Sequence, residues 1–482
     1  MLFTLAYDRT TAVHTSLNGS QVAFAANTRR APVSFSGVLR EPVLMRRLMT
    51  ALHEVILGDF REGFRGFVLD PVITVHPDEV CFEAFSTDQS AYVRLAAATD
   101  TFEITNEPTY GTTNIDFTFA LRNSLQALRS SRRTTFNVGG GGFGVQTQVG
   151  AAGKAHFEHK VELPESWVKG FLQVQSALAM RPFTFEVRPA DLLSAICYFM
   201  ENNARKPPRG MRFEFKTNQA IALVLEPWDE RFWLTGTGYA GYDRVVRLWG
   251  RKRLELLRDV LPFADKVTVG VLGRSLPHFY ICHVGDFTFT LVLSGWVRND
   301  WSSSSALDLL APQADLDAEQ IAAVYNFLNS RYAATRAEVE AHTLLGAAEA
   351  EAALFRLCRE GRAMYDPAKR RYRSRELFGE PLDWETFFAP DPRLGSAREL
   401  VKSGAVEVQS HGPSEVRKGE TRVYVSVNDG NKTYNVIIAV DWESRLRYAE
   451  CECAFFKEHI MALGPCEHIL AARAAAGDQG LV

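Results

Sequence analysis

Cysteine is scarce. The 482 residues hold seven, an odd number, and four of them (Cys81, Cys197, Cys282 and Cys358) stand far apart in apolar settings. That excludes a small disulfide-stapled scaffold and predicts buried free thiols in a reducing, cytoplasmic compartment. No run of eighteen apolar residues occurs, so no membrane-crossing helix is expected. The opening MLFTLAYDRTT lacks a basic leader, and Asp8 interrupts its short apolar run, so it does not read as a secretory signal. Neither sign of charge dominates: 54 Lys and Arg against 57 Asp and Glu leave −3. This excludes a protein that is basic all over, while a local basic patch remains open. What is present, 46% apolar and 23% charged residues, is ordinary globular composition. The length exceeds one hydrophobic core, so two to four domains are expected.

Residues 1–310 mix strands and helices and read as an α+β region of two subdomains. APVSFSGVL is strand-like, and Val43, Leu44, Leu48, Leu52 and Ile56 recur at helical spacing just after it. A second helix is expected from Pro164 and a third from Asp191 as its cap. KVTVGVL, HFYICHV and DFTFTLVL read as strands, the last two joined at Gly285-Asp286. The glycine-rich stretch at 138–154 is not a phosphate loop, because Gly153-Lys154 is followed by Ala155 and Gln148 stands at the first glycine position. Alternating apolar residues on either side predict a hairpin after a glycine hinge.

Residues 316–378 change character. Asp317 with Gln320 and Thr335 with Glu338 are helix-capping pairs. Gly346 starts a third helix, Gly361 stops it, and two short runs flank Asp366-Pro367. Three helices followed by a hairpin is the order of a winged helix-turn-helix. Its wing is rich in Lys369, Arg370, Arg371, Arg373 and Arg375, a pattern suited to non-specific phosphate contact. The third helix argues against base reading, since it opens with Glu349 and Glu351 and lacks Arg, Asn or Gln there. A proline-bearing linker is expected over 379–400 and a last domain over 401–482.

The remaining three cysteines lie within sixteen positions. Cys451 and Cys453 are two apart at the end of the third of three expected strands, so both sulfurs leave on one face. Twelve residues later Cys466 and His468 follow Gly464-Pro465 at the start of an expected helix. Three thiolates and an imidazole make a closed tetrahedral set for Zn²⁺, with arms of about 2.3 Å to sulfur and about 2.0–2.1 Å to nitrogen. A catalytic zinc would leave one position for water, so a structural ion is expected.

This Cys-x-Cys, twelve residues, Cys-x-His pattern resembles the SWIM-type zinc finger on a ββα frame. The stretches FSGVLREPVLMRRLM, LPESWVKGFLQVQ, LVLSGWVRNDWS and YRSRELFG are similar in order and position to a class of bacterial SWIM-finger proteins. Members of that class are often encoded near MoxR-type AAA+ ATPases and von Willebrand A-domain proteins. The resemblance implies zinc binding and contact with DNA or protein, and no catalysis. Glu452 and Glu467 sit between the ligands where such fingers often carry a basic residue. Residues 400–482 hold nine Lys and Arg against eleven Asp and Glu, which favours a protein partner.

A hydrolase would need a nucleophile beside a base. Ser275, His278, Cys282, His283 and Asp286 gather the residue types, but no nucleophile elbow surrounds Ser275 and the stretch reads as a core hairpin. Trp296, Arg298, Asp300 and Trp301 suggest a loop that lines a groove or caps a sheet. The reading that results is a zinc-binding, non-enzymatic adaptor working with a protein partner. A nucleic-acid-binding regulator using the wing is the second reading, and a hydrolase in the N-terminal region the third.

Overall fold

The computed structural model describes the chain except residues 1–11, 17–18, 24–31, 61–70, 116, 140–141, 150–151, 160–162, 181, 205–207, 274–275, 296–300, 302–313, 378–390, 416–418, 442–445, 462 and 482. The molecule is mixed α and β with several antiparallel sheets, as expected. Its chain divides into two compact units. One comprises Met1–Val174, Pro182–Ser303 and Arg375–Glu380, the other Gln175–Arg181, Ser304–Ser374 and Pro381–Val482. Among the described residues no helix is long and apolar enough to cross a membrane.

In the first unit an eight-stranded sheet joins segments distant in sequence. Phe287–Leu293 pairs with Ala91–Ala98, so strands from residues 72–114 and from 183–293 share one sheet. Helix Pro42–Leu57 buries Met45, Leu48, Met49, Leu52, Val55 and Ile56, each of which removes apolar area worth about 1.5–3 kcal/mol from water. Val43, expected on that face, is exposed. The expected glycine-rich hairpin is present: Gly142–Val149 pairs with Ala152–His159. Helix Pro189–Glu201 is capped by the Arg188 backbone, with Pro189 in its first turn. Asp191, expected as the cap, lies inside that turn and accepts from Arg188 and Thr235. Proline explains the shift, because it needs no N–H partner at a helix start. Cys81, Cys282 and Cys358 are buried and in no disulfide, whereas Cys197 is exposed on this helix.

The second unit begins with helices Ala318–Arg331, Arg336–Thr343 and Ala347–Arg359. Both expected capping boxes are formed. Asp317 accepts from Gln320 N (2.8 Å) while its own N–H donates to Gln320 (3.0 Å). Thr335 and Glu338 do the same. Strands Ala363–Asp366 and Arg371–Ser374 follow, and Ala333–Ala334 completes their sheet. Helix Pro392–Lys402 occupies the end of the stretch read as linker and runs past its expected boundary at 400, capped by Asp391, and its Ala397 packs with Leu470 and Ala471 of the last helix. Trp384, Phe387 and Phe388 of that stretch lie outside the described residues.

The C-terminal sheet has four strands: Val406–Pro413, Glu420–Asp429, Lys432–Asp441 and Leu446–Cys451, in that order. The first is additional to the three expected. Gly430, with φ of +62°, makes the tight turn between Asp429 and Lys432. Val423, Val425, Val427, Val436 and Ile438 are buried on one face, against which helix Glu467–Asp478 packs.

Candidate metal centre

Cys451 ends the Leu446–Cys451 strand, and Cys453 caps the short Ala454–His459 helix. Cys466 caps the Glu467–Asp478 helix, whose second residue is His468. Strand alternation and the helix start thus bring four side chains to one point. Their ligand atoms all lie within 4.8 Å of one another, and all four residues are buried. The edge of a tetrahedron with arms of about 2.3 Å is about 3.8 Å, so the cluster has the dimensions of a metal cage.

Backbone N–H groups serve the sulfurs. Cys453 N donates to Cys451 Sγ (3.5 Å) and Phe456 N to Cys453 Sγ (3.3 Å). Cys466 faces the N–H of Ile469 in the last helix. Such donors favour thiolate, the form that binds metal. The three thiols titrate as one coupled set. A hydrogen bond from the Cys466 thiol, helped by His468 and the Cys453 N–H, brings Cys451 down to about 4. The same shared proton pushes Cys466 up, and burial pushes Cys453 up.

His468 supplies the clearest sign of a ligand role. Its Nε2 lies 3.2 Å from Asp429 Oδ2 at the hairpin turn. Its Nδ1 is buried, makes no hydrogen bond of standard geometry and faces Cys451, whose thiolate it favours; a cation shared with the sulfurs would sit in the same place. Burial lowers the imidazole pKa, but Cys451, Glu467 and Asp429 outweigh it and raise the value. The Tyr434 ring covers the imidazole at 4.3 Å between centroids. The residues present therefore fit a metal ion held by three thiolates and one imidazole.

Arg393, which the sequence does not single out, braces the loop ahead of Cys466. It donates to Leu463 O (2.8 Å) and Pro465 O (3.0 Å) while Asp391 holds its other edge. Its guanidinium lies 5.0 Å from the centre of the Phe455 ring. His459 closes the short helix, meets Phe455 edge-to-face at 4.9 Å between ring centroids and stays outside the ligand set.

The five basic wing residues are not one surface patch. Arg373 is fully buried and paired with Asp366 (2.8 Å). Arg375 is fully buried and paired with Glu83 (2.7 Å) in the first unit. Lys369 and Arg370 are exposed, and Arg371 is half-buried. Glu349 is used to cap its helix through Gly346 N. Glu351 is buried and accepts from Tyr372.

In the first unit, Ser275, Trp296, Arg298 and Asp300 lie outside the described residues. His278 is buried against the Tyr280 hydroxyl (3.0 Å), and burial with nearby Arg253 lowers its pKa to about 3. Burial raises Cys282 to about 12, the opposite of an activated nucleophile. Trp301 is buried, and its backbone N–H donates to Gln89 O (2.9 Å). His76, Glu79 and Cys81 form a second buried cluster, but the Arg94 guanidinium already neutralises Glu79.

No protein-family model matches this chain, and no curated protein matches it. Among solved structures, the proliferating cellular nuclear antigen of Entamoeba histolytica is similar at 14% identity and a TM-score of 0.39, over 54% of this chain and 97% of that one. That of Thermococcus kodakaraensis gives 14% and 0.38, over 54% and 98%. A likeness this weak carries no argument about function.

Proposed function

We propose that the C-terminal part is a SWIM-type finger closed around one structural zinc ion, in a non-enzymatic adaptor that binds a protein partner. One observation carries the metal reading: four buried ligand atoms within 4.8 Å, three of them thiol sulfurs, with the imidazole oriented by a carboxylate outside the set. Thiolate-rich tetrahedral sets suit zinc, and four protein ligands leave no open position for catalysis. What zinc supplies here is folding free energy, because it cross-links a strand end to a helix start. A protein partner is supported by the net charge of −2 over residues 400–482 and by Glu452 and Glu467 between the ligands, which would repel phosphate.

The helices from Ala318 to Arg359 and the strands after them fit a winged helix. Its wing keeps only Lys369, Arg370 and half-buried Arg371 for phosphate contact, so a structural or protein-docking role is the better reading. The resemblance points to a MoxR-type ATPase or a von Willebrand A-domain protein as the partner. The test is affinity purification of the full chain with each of these two partner classes, with and without nuclease. Binding that resists nuclease and is lost in Cys453→Ser supports the adaptor reading. Binding abolished by nuclease contradicts it.

A further inference from the structure

Between Asn203 and Arg253 eleven Lys and Arg stand against five Asp and Glu, a net of +6 inside a chain of −3. Among the described residues nine Lys and Arg stand against five Asp and Glu. Except for Arg253, which is buried against Ser90 and Ser294, they lie in and around one four-stranded antiparallel sheet. In spatial order its strands are Glu230–Tyr239, Gln219–Leu225, Met211–Phe215 and Arg244–Leu248. The registers align Arg231, Val224, Arg212 and Arg247 in one row and Trp233, Ala222, Glu214 and Val245 in the next. Alternation puts both rows on the same face. The other face, with Phe213, Leu223, Leu234 and Val246, is buried.

The charged face is open at its two outer strands, while Ala222 and Val224 between them are buried. Trp233 is 48% exposed and Val245 61%. Arg231 lies 5.5 Å from the centre of the Trp233 ring, and Arg247 lies 4.5 Å from that of Trp249. Carboxylates hold the arginines in place: Glu214 (2.8 Å), Glu226 (3.6 Å) and Asp229 (2.5 Å) for Arg212, Glu214 for Arg231 (2.7 Å), and Glu226 for Arg247 (2.7 Å). These pairs orient the guanidinium planes and use only part of the five N–H donors on each. At the end of the sheet Arg209 and Lys252 are exposed, and Arg251 is buried over Trp228 (4.7 Å). Burial first, and Arg209 after it, lower Arg251 to about 10 against the opposing effect of Glu226.

We infer that this sheet face binds single-stranded nucleic acid, with bases stacking on Trp233 and the backbone running past Arg231, Arg212, Arg247, Arg209 and Lys252. Exposed Arg209 and Lys252 at the sheet's end, beside the oriented guanidinium of Arg231, favour a polyanion. The exposed indole and the flat, pre-oriented guanidiniums select one with free aromatic faces. A duplex hides its base faces, and an acidic peptide offers none. This inference does not rest on the metal reading.

The test is fluorescence anisotropy of a 5′-labelled twenty-residue oligo(dT) with the full chain at 50 mM salt. Binding is expected, with log affinity falling against log salt at a slope of about −2 to −4, as three to five phosphates would give. Trp233→Ala should weaken it about tenfold and Trp233→Phe less than threefold, with Arg231→Gln as an independent variant should either tryptophan change perturb folding. A duplex of the same length should bind at least tenfold more weakly. Lys402→Ala, which removes an exposed cation outside both the sheet face and the wing, should leave affinity unchanged. No binding at low salt, equal affinity for duplex, equal competition by polyglutamate, or indifference to both Trp233→Ala and Arg231→Gln would overturn the inference.

Discussion

His468 and Asp429 meet at 3.2 Å, Nε2 to Oδ2, and that contact decides which ring nitrogen faces the three sulfurs. A carboxylate there favours the proton on Nε2, and in the proposed zinc set Nδ1 would then be the ligand atom, since outer partners of this kind fix tautomer and ring orientation. Replacing Asp429 by Ala should weaken zinc binding about 10- to 100-fold. Asp429→Asn, which can still accept from Nε2, should recover most of it. Competition with a chromophoric chelator reads both, and equal affinity in Asp429→Ala and wild type would remove Asp429 from the site.

Arg393 should matter without touching metal. Arg393→Ala strands the carbonyls of Leu463 and Pro465, which now accept from it. The cost should be about 1–3 kcal/mol in the C-terminal part. Hydrogen exchange should rise around residues 463–470, and zinc should leave faster to chelator. Wild-type exchange there in Arg393→Ala would contradict the brace.

These two residues show where sequence reading stops. The ligand pairs are legible because a strand puts i and i+2 on one face, and the helix start after Gly464-Pro465 is a local signal. The capping boxes are legible for the same reason: each closes within four residues. Asp429 is visible only as a turn residue, because its partner lies 39 positions away. Arg393 bonds to backbone carbonyls 70 and 72 positions off, which no residue type announces. Arg373 and Arg375 look like a basic wing because charge is usually solvated. Asp366, just across the hairpin, was a readable partner for the first, whereas Glu83, 292 positions away, was not one for the second.

Zinc binding should release protons. The raised values of Cys453 and Cys466 keep both thiols protonated at neutral pH, while Cys451 is already ionised. A metal takes the ligands in their deprotonated forms. About two protons should therefore leave per zinc at pH 7.4, with a further fraction from His468, whose raised value adds to competition from acid. Calorimetry in two buffers of different ionisation enthalpy counts them. Affinity should fall as pH falls, and a pH-independent affinity between 5.5 and 8 would contradict the ligand set.

His278 predicts acid sensitivity in the first unit. Its folded pKa, about 3, lies below the unfolded value of about 6.5. Between the two, the unfolded chain binds more protons, so stability rises with pH in that window and is lost as pH falls. Urea midpoints at pH 7 and pH 5 should show the loss. His278→Gln should flatten the slope, and an unchanged slope would show that His278 is not the group responsible.

Metal content, read together with protection of the C-terminal part, tests the central claim most directly. Native mass spectrometry of the purified full chain should show one zinc, absent in Cys466→Ser. Chelator or that substitution should open residues beyond about 400 to limited proteolysis while the first unit resists, because the metal supplies the folding free energy of its own region. A chain that carries no metal, yet keeps its C-terminal part protease-resistant and unaffected by chelator, would contradict a structural zinc.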